Sequence, residues 1–385
     1  MPLPYLSALS HSDAHHPPHT PPPSAHPTTL HTPHNNASST GPRSLINRPE
    51  YRFPFIPENS YAGRMNTPTP SNTLRRLAED RLEEFTKVDA LLKRHRTHIG
   101  RDGIECGLTS ALRLEGIELP LIPRNAPYAA KLDVVHLMVD SASARRRWKG
   151  ARFHLATQPA LNALPEERRH EYAPRHIAPD VYVTHPLLTW AQMSRTLDHE
   201  ELTVLADSMM RRNHPSMHFT PDDFRELMTL LPAGQGFKGR AKCLWACEMM
   251  RENTDSSMET RMRLKLWGES IPELQGLVVN HRITVDGDED GSGDGNGFDG
   301  RSGSRGRNGI GSTLFLDMAL PELRIGIEYA GRHHAEQWSA DLSRQTAIAA
   351  SGWTLLSASH ETMSDPARWR EFVSHLATQI LRSTT

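Results

Sequence analysis

The chain opens its regular patterning near residue 73. Leu74, Leu77, Leu82, Phe85, Val88 and Leu91 recur at roughly helical spacing, so Thr73 to about His98 is predicted as a charged amphipathic helix ending in the basic run KRHRTH. Between about 100 and 250 the pattern is mixed. Leu108–Ile117 reads as a short helix stopped at Gly116, and Val134–Val139 as a buried strand. Phe153–Leu155 and Val181–Thr184 read as shorter strands, and Pro186–Met210 as mainly helix. Thr220-Pro221-Asp222-Asp223 opens another helix, with a cap and a proline at its first position. Ser256 with Glu259 fits a capping box for a helix beyond it.

The clearest pattern lies between Thr313 and His334. Leu314, Leu316, Met318 and Leu320 alternate with Phe315, Asp317 and Ala319; after Pro321-Glu322, Leu323, Ile325, Ile327 and Tyr329 alternate with Arg324, Gly326, Glu328 and Ala330. Period two on both sides of a turn predicts a hairpin. A tight turn makes Leu320 face Leu323, sets Asp317 opposite Gly326, and puts Glu328 diagonal to Asp317 on one sheet face. Diagonal neighbours lie roughly 7–8 Å apart, close enough for two carboxylates to share a metal ion, and Gly326 leaves room for a ligand or a second backbone. Two acids on one half-buried face are costly unless they are used.

The flanking elements complete a topology. Leu277–Val285 is a strand, Ala335–Ser351 a helix carrying Asp341 and Arg344, and Trp353–Ser359 a strand. A final helix carries the stripe Trp369, Phe372, Val373, Leu376 and Ile380. The order is helix, three strands, helix, strand, helix: a meander with a fourth strand returned by a crossover helix. The fold class expected is therefore α/β (α+β), with an αβββαβα mixed sheet flanked by helices preceded by a mixed α+β domain. The boundaries drawn are 1–72 for a disordered tail, 73–250 for the mixed domain, and 251–385 for the last domain with a flexible insertion at 286–312.

Composition sharpens the ends of this picture. Residues 1–72 are rich in His, Pro, Ser, Thr and Asn, and cannot bury enough apolar surface to offset chain entropy. Seven histidines precede residue 35, but irregular spacing broken by proline favours a tail over a metal site. Asp286, Asp288, Asp290 and Gly291 imitate a calcium loop whose twelfth position is Gly297 rather than Glu, which removes that reading. The formal charge of −1 advertises no global basic field. Cys106, Cys243 and Cys247 are too few and too odd for a disulfide framework and suit a reducing, cytoplasmic setting. Cys243 and Cys247 share a helix face, where buried apolar packing is the simpler role than metal binding. No apolar run approaches membrane-spanning length and no signal peptide is seen, so no membrane partner is expected.

Candidate chemistry gathers at two places. One is the acid pair Asp317 and Glu328, with Glu259, His334 and Arg344 around it. Glu259 is read two ways, as the far half of its capping box and as a site carboxylate, and Arg344 pairs either with Asp341 one turn away or with the site. His333 and His334 are either surface residues or site residues, with His334 favoured for the site. The other place is ARRRWKGAR, where Arg145, Arg146, Arg147 and Trp148 can grip a phosphate backbone and stack on a base, or form a solvated turn.

Several short pieces add a resemblance. Ser256-x-Met258-Glu259-Thr260 precedes Asp317; Glu328-Tyr329-Ala330-Gly331 runs to His333-His334; Asp341-x-x-Arg344 and Gly352-Trp353 follow. In that order, residues 251–385 resemble the PD-(D/E)XK restriction-endonuclease-like superfamily, and more narrowly the endonuclease-like domains related to very-short-patch-repair endonucleases. Through LTSALRLEGIELP and the later VTHPLLTWAQMSRTLDHEELTVLADSMMRR, the region from about 90 to 250 is distantly similar to abortive-infection (type IV toxin–antitoxin) antitoxin proteins. The resemblance implies a DNA endonuclease in which Asp317 and Glu328 hold Mg²⁺ or Mn²⁺, with the Tyr329 carbonyl as a further donor. It implies that Glu259 holds a second metal or orients water, that His334 acts as general acid, and that Arg344 steadies developing charge. Ala330 departs from it: the superfamily carries Lys there and the nearer relatives usually Asp. Two alternatives stay open. One is a nuclease fold without catalysis that binds nucleic acid or a protein, consistent with 18 acidic against 13 basic residues from Asp255 onward. The other is an antitoxin-like regulator. Oligomeric state is not fixed by these patterns.

Overall fold

The computed structural model describes residues 72–99, 103–122, 133–156, 160–211, 214, 217–232, 237–285, 312–331 and 338–384. The tail before Asn72, the calcium-like loop and the rest of the 286–311 insertion, and the His333–His334 pair lie outside the described residues.

Helix α1 (Asn72–His95) leads into a short 3-10 turn at Arg96–His98. Strand β1 (Ile104–Cys106), helix α2 (Leu108–Glu115), and strands β2 (Val135–Val139), β3 (Ala151–Leu155), β4 (Arg175–Ala178) and β5 (Val181–Val183) follow. They form a five-stranded mixed sheet in the order β3-β2-β1-β5-β4. Strands β1 and β4 were not legible as strands: β1 has three residues, and β4, Arg175–Ala178, has no apolar alternation. Phe85, Val88 and Leu91 of α1 pack on Val135, Leu137, Val181 and Val183 of the sheet. Leu82, expected in the same stripe, is half exposed because its spacing turns it off the packed face. Gly116 closes α2 in the left-handed region at φ 73°, where its amide reaches back to Arg113 and Leu112 carbonyls.

Four helices build the neighbouring core: α3 (Pro186–Met193), α4 (His199–Met209), α5 (Pro221–Leu230) and α6 (Arg240–Met249). Trp190, fully buried, donates its indole N–H to the Leu202 carbonyl at 3.0 Å and meets Phe224 edge to face. Helix α5 begins as its sequence predicts, with Pro221 at the first position and a capping box between Thr220 and Asp223. Cys243 and Cys247 are buried in this core, and burial pushes their thiols up to about 12 and about 11, the behaviour of packed apolar groups.

The last region is α7 (Ser257–Trp267), β6 (Val278–Val285), β7 (Ser312–Leu320), β8 (Ile325–Ala330), α8 (Trp338–Ala350), β9 (Thr354–Ser359), the one-turn α9 (His360–Ser364) and α10 (Pro366–Thr384). The expected αβββαβα order is present, with one extra turn of helix before the last helix. The strands lie in the order β6-β7-β8-β9; the first three are antiparallel and β9 is parallel to β8. Met262 and Leu266 of α7 and Trp369, Phe372, Leu376 and Ile380 of α10 cover one face, against Met318, Ile325, Ile327 and Leu356. Ile348 of α8 packs on the other face with Leu316, Ala319 and Ile283. Among the described residues, no helix is long and apolar enough to cross a membrane.

The boundary drawn at residue 250 falls on a packed seam. Asp207 of α4, fully buried, accepts from Arg263 and Thr260 of α7 at 2.8 and 2.9 Å, and Arg261 grips Glu201 through two bonds at 2.7 and 2.8 Å. Helix α7 is thus shared between the helical core and the four-stranded sheet.

Candidate active site

The β7–β8 connection differs from the tight turn expected. Pro321–Leu323 forms a 3-10 turn and Arg324 takes the left-handed region at φ 51°, so four residues rather than two span the strands. Leu320 consequently pairs with Ile325, Ala319 with Gly326 and Met318 with Ile327. The ladder ends at Met318 and Ile327, so Asp317 and Glu328 are the next residues beyond it, at offset positions shifted from the diagonal arrangement expected. The hairpin register therefore differs from the one the sequence pattern suggested, for a reason the sequence did not display.

Gly326 also has a different role from the one its place suggested. A Cβ there would lie 2.9 Å from Leu316 Cδ1 and 3.1 Å from Leu355 Cδ1. The space beside Gly326 is filled by leucine methyls; it is packing beneath α8 and not room for a ligand.

Asp317 lies at an irregularity. Pairing between β6 and β7 continues in one register on both sides but omits Asn280 and Asp317, and Asn280 has φ 48°. Leu314 and Leu316 pack on the α8 side, whereas Met318 and Leu320 pack on the α7 side. Both strands turn over at this point, so simple alternation fails at the acid itself. The Asp317 carboxylate accepts the Tyr329 N–H at 2.9 Å and so ties the two strands just beyond the end of their ladder.

Arg344, on α8, reaches across to Glu328 rather than being confined to Asp341. Its Nη1 donates to Glu328 Oε2 at 2.8 Å, and its Nη2 lies 2.5 Å from Oε1 and donates to the Phe315 carbonyl at 2.6 Å. Burial opposes the arginine's charge. The hydrogen bond and charge of Glu328, with the charges of Asp317 and Asp341, outweigh it and hold the guanidinium above its ordinary pKa. The Glu328 and Arg344 side chains keep only 15% and 25% of their exposure, so the pair is partly shielded from water.

Glu259 is occupied elsewhere. Ser256 Oγ accepts the Glu259 N–H at 3.2 Å, while the Glu259 carboxylate accepts the Asp255 N–H at 2.9 Å and the Ser256 hydroxyl at 2.8 Å. Burial raises its pKa against those bonds. The capping-box reading is thus realised in full. Among the described residues no three His, Cys, Asp or Glu side chains converge as a metal cluster.

Among the described residues, the carboxylates that the sequence reading assigns to a divalent cation and that the fold places on neighbouring strands are Asp317 and Glu328. Two carboxylates with water and substrate oxygens are a usual Mg²⁺ donor set, and hard oxygen donors suit it. Glu328 would have to be shared with or released by Arg344. Ala330, paired with Ser359 on β9, offers no donor at the end of β8.

The basic run of the β2–β3 connection forms a surface groove of about 570 Å³, lined by Arg145, Arg146, Arg147, Trp148, Lys149 and Arg152. Trp148 is already engaged by rings of the fold. Its ring lies flat on His95 at 4.2 Å and 3°, and meets Phe153 edge to face at 5.1 Å. Sequence spacing gave no sign that His95 and Trp148 touch, since some fifty residues separate them.

Comparison with known proteins finds no matching family model, no similar curated protein and no similar solved structure.

Proposed function

We propose that the chain is a divalent-metal-dependent phosphodiesterase acting on DNA, of the kind its last region resembles. The supporting observation is that Asp317 and Glu328 lie on neighbouring strands, with Asp317 bound to the Tyr329 N–H and both acids acting on Arg344, within the αβββαβα order that the resemblance implies. In this reading Asp317 and Glu328 hold Mg²⁺ or Mn²⁺, which when bound polarises a phosphate and lowers the pKa of a water. Asp317 is oriented by the Tyr329 N–H. Arg344 is held by the Phe315 carbonyl at the same place, where its charge can steady a phosphate as Glu328 turns to the cation. His334 remains the proposed proton donor to the leaving oxygen. Glu259 acts through its cap, setting the start of α7 under the sheet.

The test is cleavage of mixed single- and double-stranded DNA by the full chain with Mg²⁺ or Mn²⁺. The reading expects cleavage that chelation stops and that Asp317→Ala abolishes. Equal cleavage by that variant sinks it.

One observation favours a second reading, a nuclease fold that binds without cutting. Glu328 is already neutralised by Arg344 through both carboxylate oxygens, and Ala330 supplies no further polar group. On that reading Arg344 is a permanent strut, the wild type takes up no cation, and Ala330→Asp gains what the wild type lacks.

A further inference from the structure

Two basic segments far apart in sequence meet in the fold. The end of α1 and the 3-10 turn after it carry Lys93, Arg94, His95, Arg96 and His98; the β2–β3 connection and the start of β3 carry Arg145, Arg146, Arg147, Lys149 and Arg152. Neither 93–98 nor 141–153 contains an acidic residue. The His95–Trp148 stack joins them, and Arg94 Nη1 donates to the Lys149 carbonyl at 3.1 Å. Helix α1 is itself anchored at its middle. Glu84 accepts the Ser110 hydroxyl, whose oxygen accepts the His136 N–H at 2.9 Å, tying α1 to α2 and β2.

Not all of these cations are committed. Lys93 pairs with Asp89, and Arg146 folds back onto the Ser143 and Arg145 carbonyls. Among the described residues, no carboxylate lies at ion-pair distance from Arg145, Arg147, Lys149 or Arg94. Their mutual repulsion is tolerated only because they are exposed. The neighbouring histidines register the field. Desolvation, then the charges of Arg94 and His98, lower the pKa of His95; desolvation, then His136, Arg152 and Arg145, hold His154 near 4.

We propose that this joint basic face is a binding surface for the phosphodiester backbone of nucleic acid. Guanidinium groups in a groove match phosphate oxygens by paired N–H donors. With Trp148 covered on one face by His95, the surface reads charge and spacing rather than base identity. A lipid headgroup layer fits less well, because membrane-surface sites add apolar side chains that insert, and the large exposed apolar residues (Leu82, Leu121, Leu244, Trp267, Val278, Leu342, Leu381) are not in the groove. The proposal stands whether or not Asp317 and Glu328 hold a metal, because binding is read without one.

The experiment is fluorescence anisotropy of the full chain with a labelled DNA duplex and the matching single strand, in chelator, across a salt series. If roughly four phosphates are neutralised, affinity for duplex falls on the order of a hundredfold between about 50 and about 200 mM salt. Replacing Arg145→Ala and Arg147→Ala together weakens binding roughly tenfold and reduces the salt slope by about two, with no dependence on base sequence. Arg370→Ala, an exposed arginine on α10, leaves both unchanged. Circular dichroism confirms that the double variant is folded, as expected for two exposed side chains. Absence of binding overturns the proposal, as does a double variant that binds like wild type. Preferential capture by phosphatidylserine–phosphatidylcholine vesicles over DNA at equal phosphate also overturns it.

Discussion

Arg344→Ala removes two contacts to Glu328 and one to the Phe315 carbonyl. Breaking a fully buried pair costs about 3–5 kcal/mol, whereas an exposed pair is worth about 0–1 kcal/mol. With side-chain exposures of 15% and 25% the pair falls between these limits, so about 2 kcal/mol is expected from the stranded carboxylate. Loss of the bond to the carbonyl adds about 1 kcal/mol. Urea unfolding at neutral pH reads the total as a lowered midpoint with an unchanged slope. Glu328→Gln keeps a neutral acceptor and costs less. The double variant then shows a coupling of about 1–2 kcal/mol between the two positions. A single-variant loss below about 0.5 kcal/mol, with additive behaviour in the double variant, refutes the idea that Arg344 clamps the site.

Three further outcomes follow from the packing and the charges. Gly326→Ala pushes a methyl against Leu316 and Leu355, whose flexible ends give way only in part, and destabilises by about 1–3 kcal/mol in the same urea assay. Glu259→Ala loses about 1 kcal/mol with its capping box, while Glu259→Gln, whose single carbonyl oxygen can still accept the Asp255 N–H, loses about half of that. His154, His185 and His214 are each held neutral, with pKa values lowered to about 4, by burial first and then by nearby positive charge. The native state therefore binds fewer protons than the unfolded chain between about pH 6.5 and about pH 4, and stability falls as pH drops through that window. Thermal melts of His154→Leu against wild type show a shallower acid loss.

The strand-and-helix order of the last region was legible because its periods are strong: Trp369, Phe372, Leu376 and Ile380 are buried where the stripe puts them. The end of α2 at Gly116 and the cap of α5 at Thr220 were equally plain, being set by local backbone chemistry. The register of the hairpin was not legible. A 3-10 turn and a left-handed Arg324 depend on contacts such as Thr354 N–H to the Arg324 carbonyl, made by a strand thirty residues on. The turn-over of β6 and β7 at Asn280 was hidden for the same reason, since neither strand carries an inserted residue to mark it. Arg344 shows the limit at the site. Its helical spacing to Asp341 was visible, but its reach to Glu328 and Phe315 is set by the crossover of α8 over the sheet. The union of two basic runs through His95 and Trp148 belongs to the same class of long-range contact.

The most direct measurement is calorimetric titration of Mn²⁺ into the full chain and into Asp317→Ala. The histidines before residue 35 are common to both proteins, so the difference between the two isolates the acid pair. The account predicts a binding event in wild type that is missing from Asp317→Ala and weakened in Glu328→Gln. Identical titrations for wild type and Asp317→Ala contradict it.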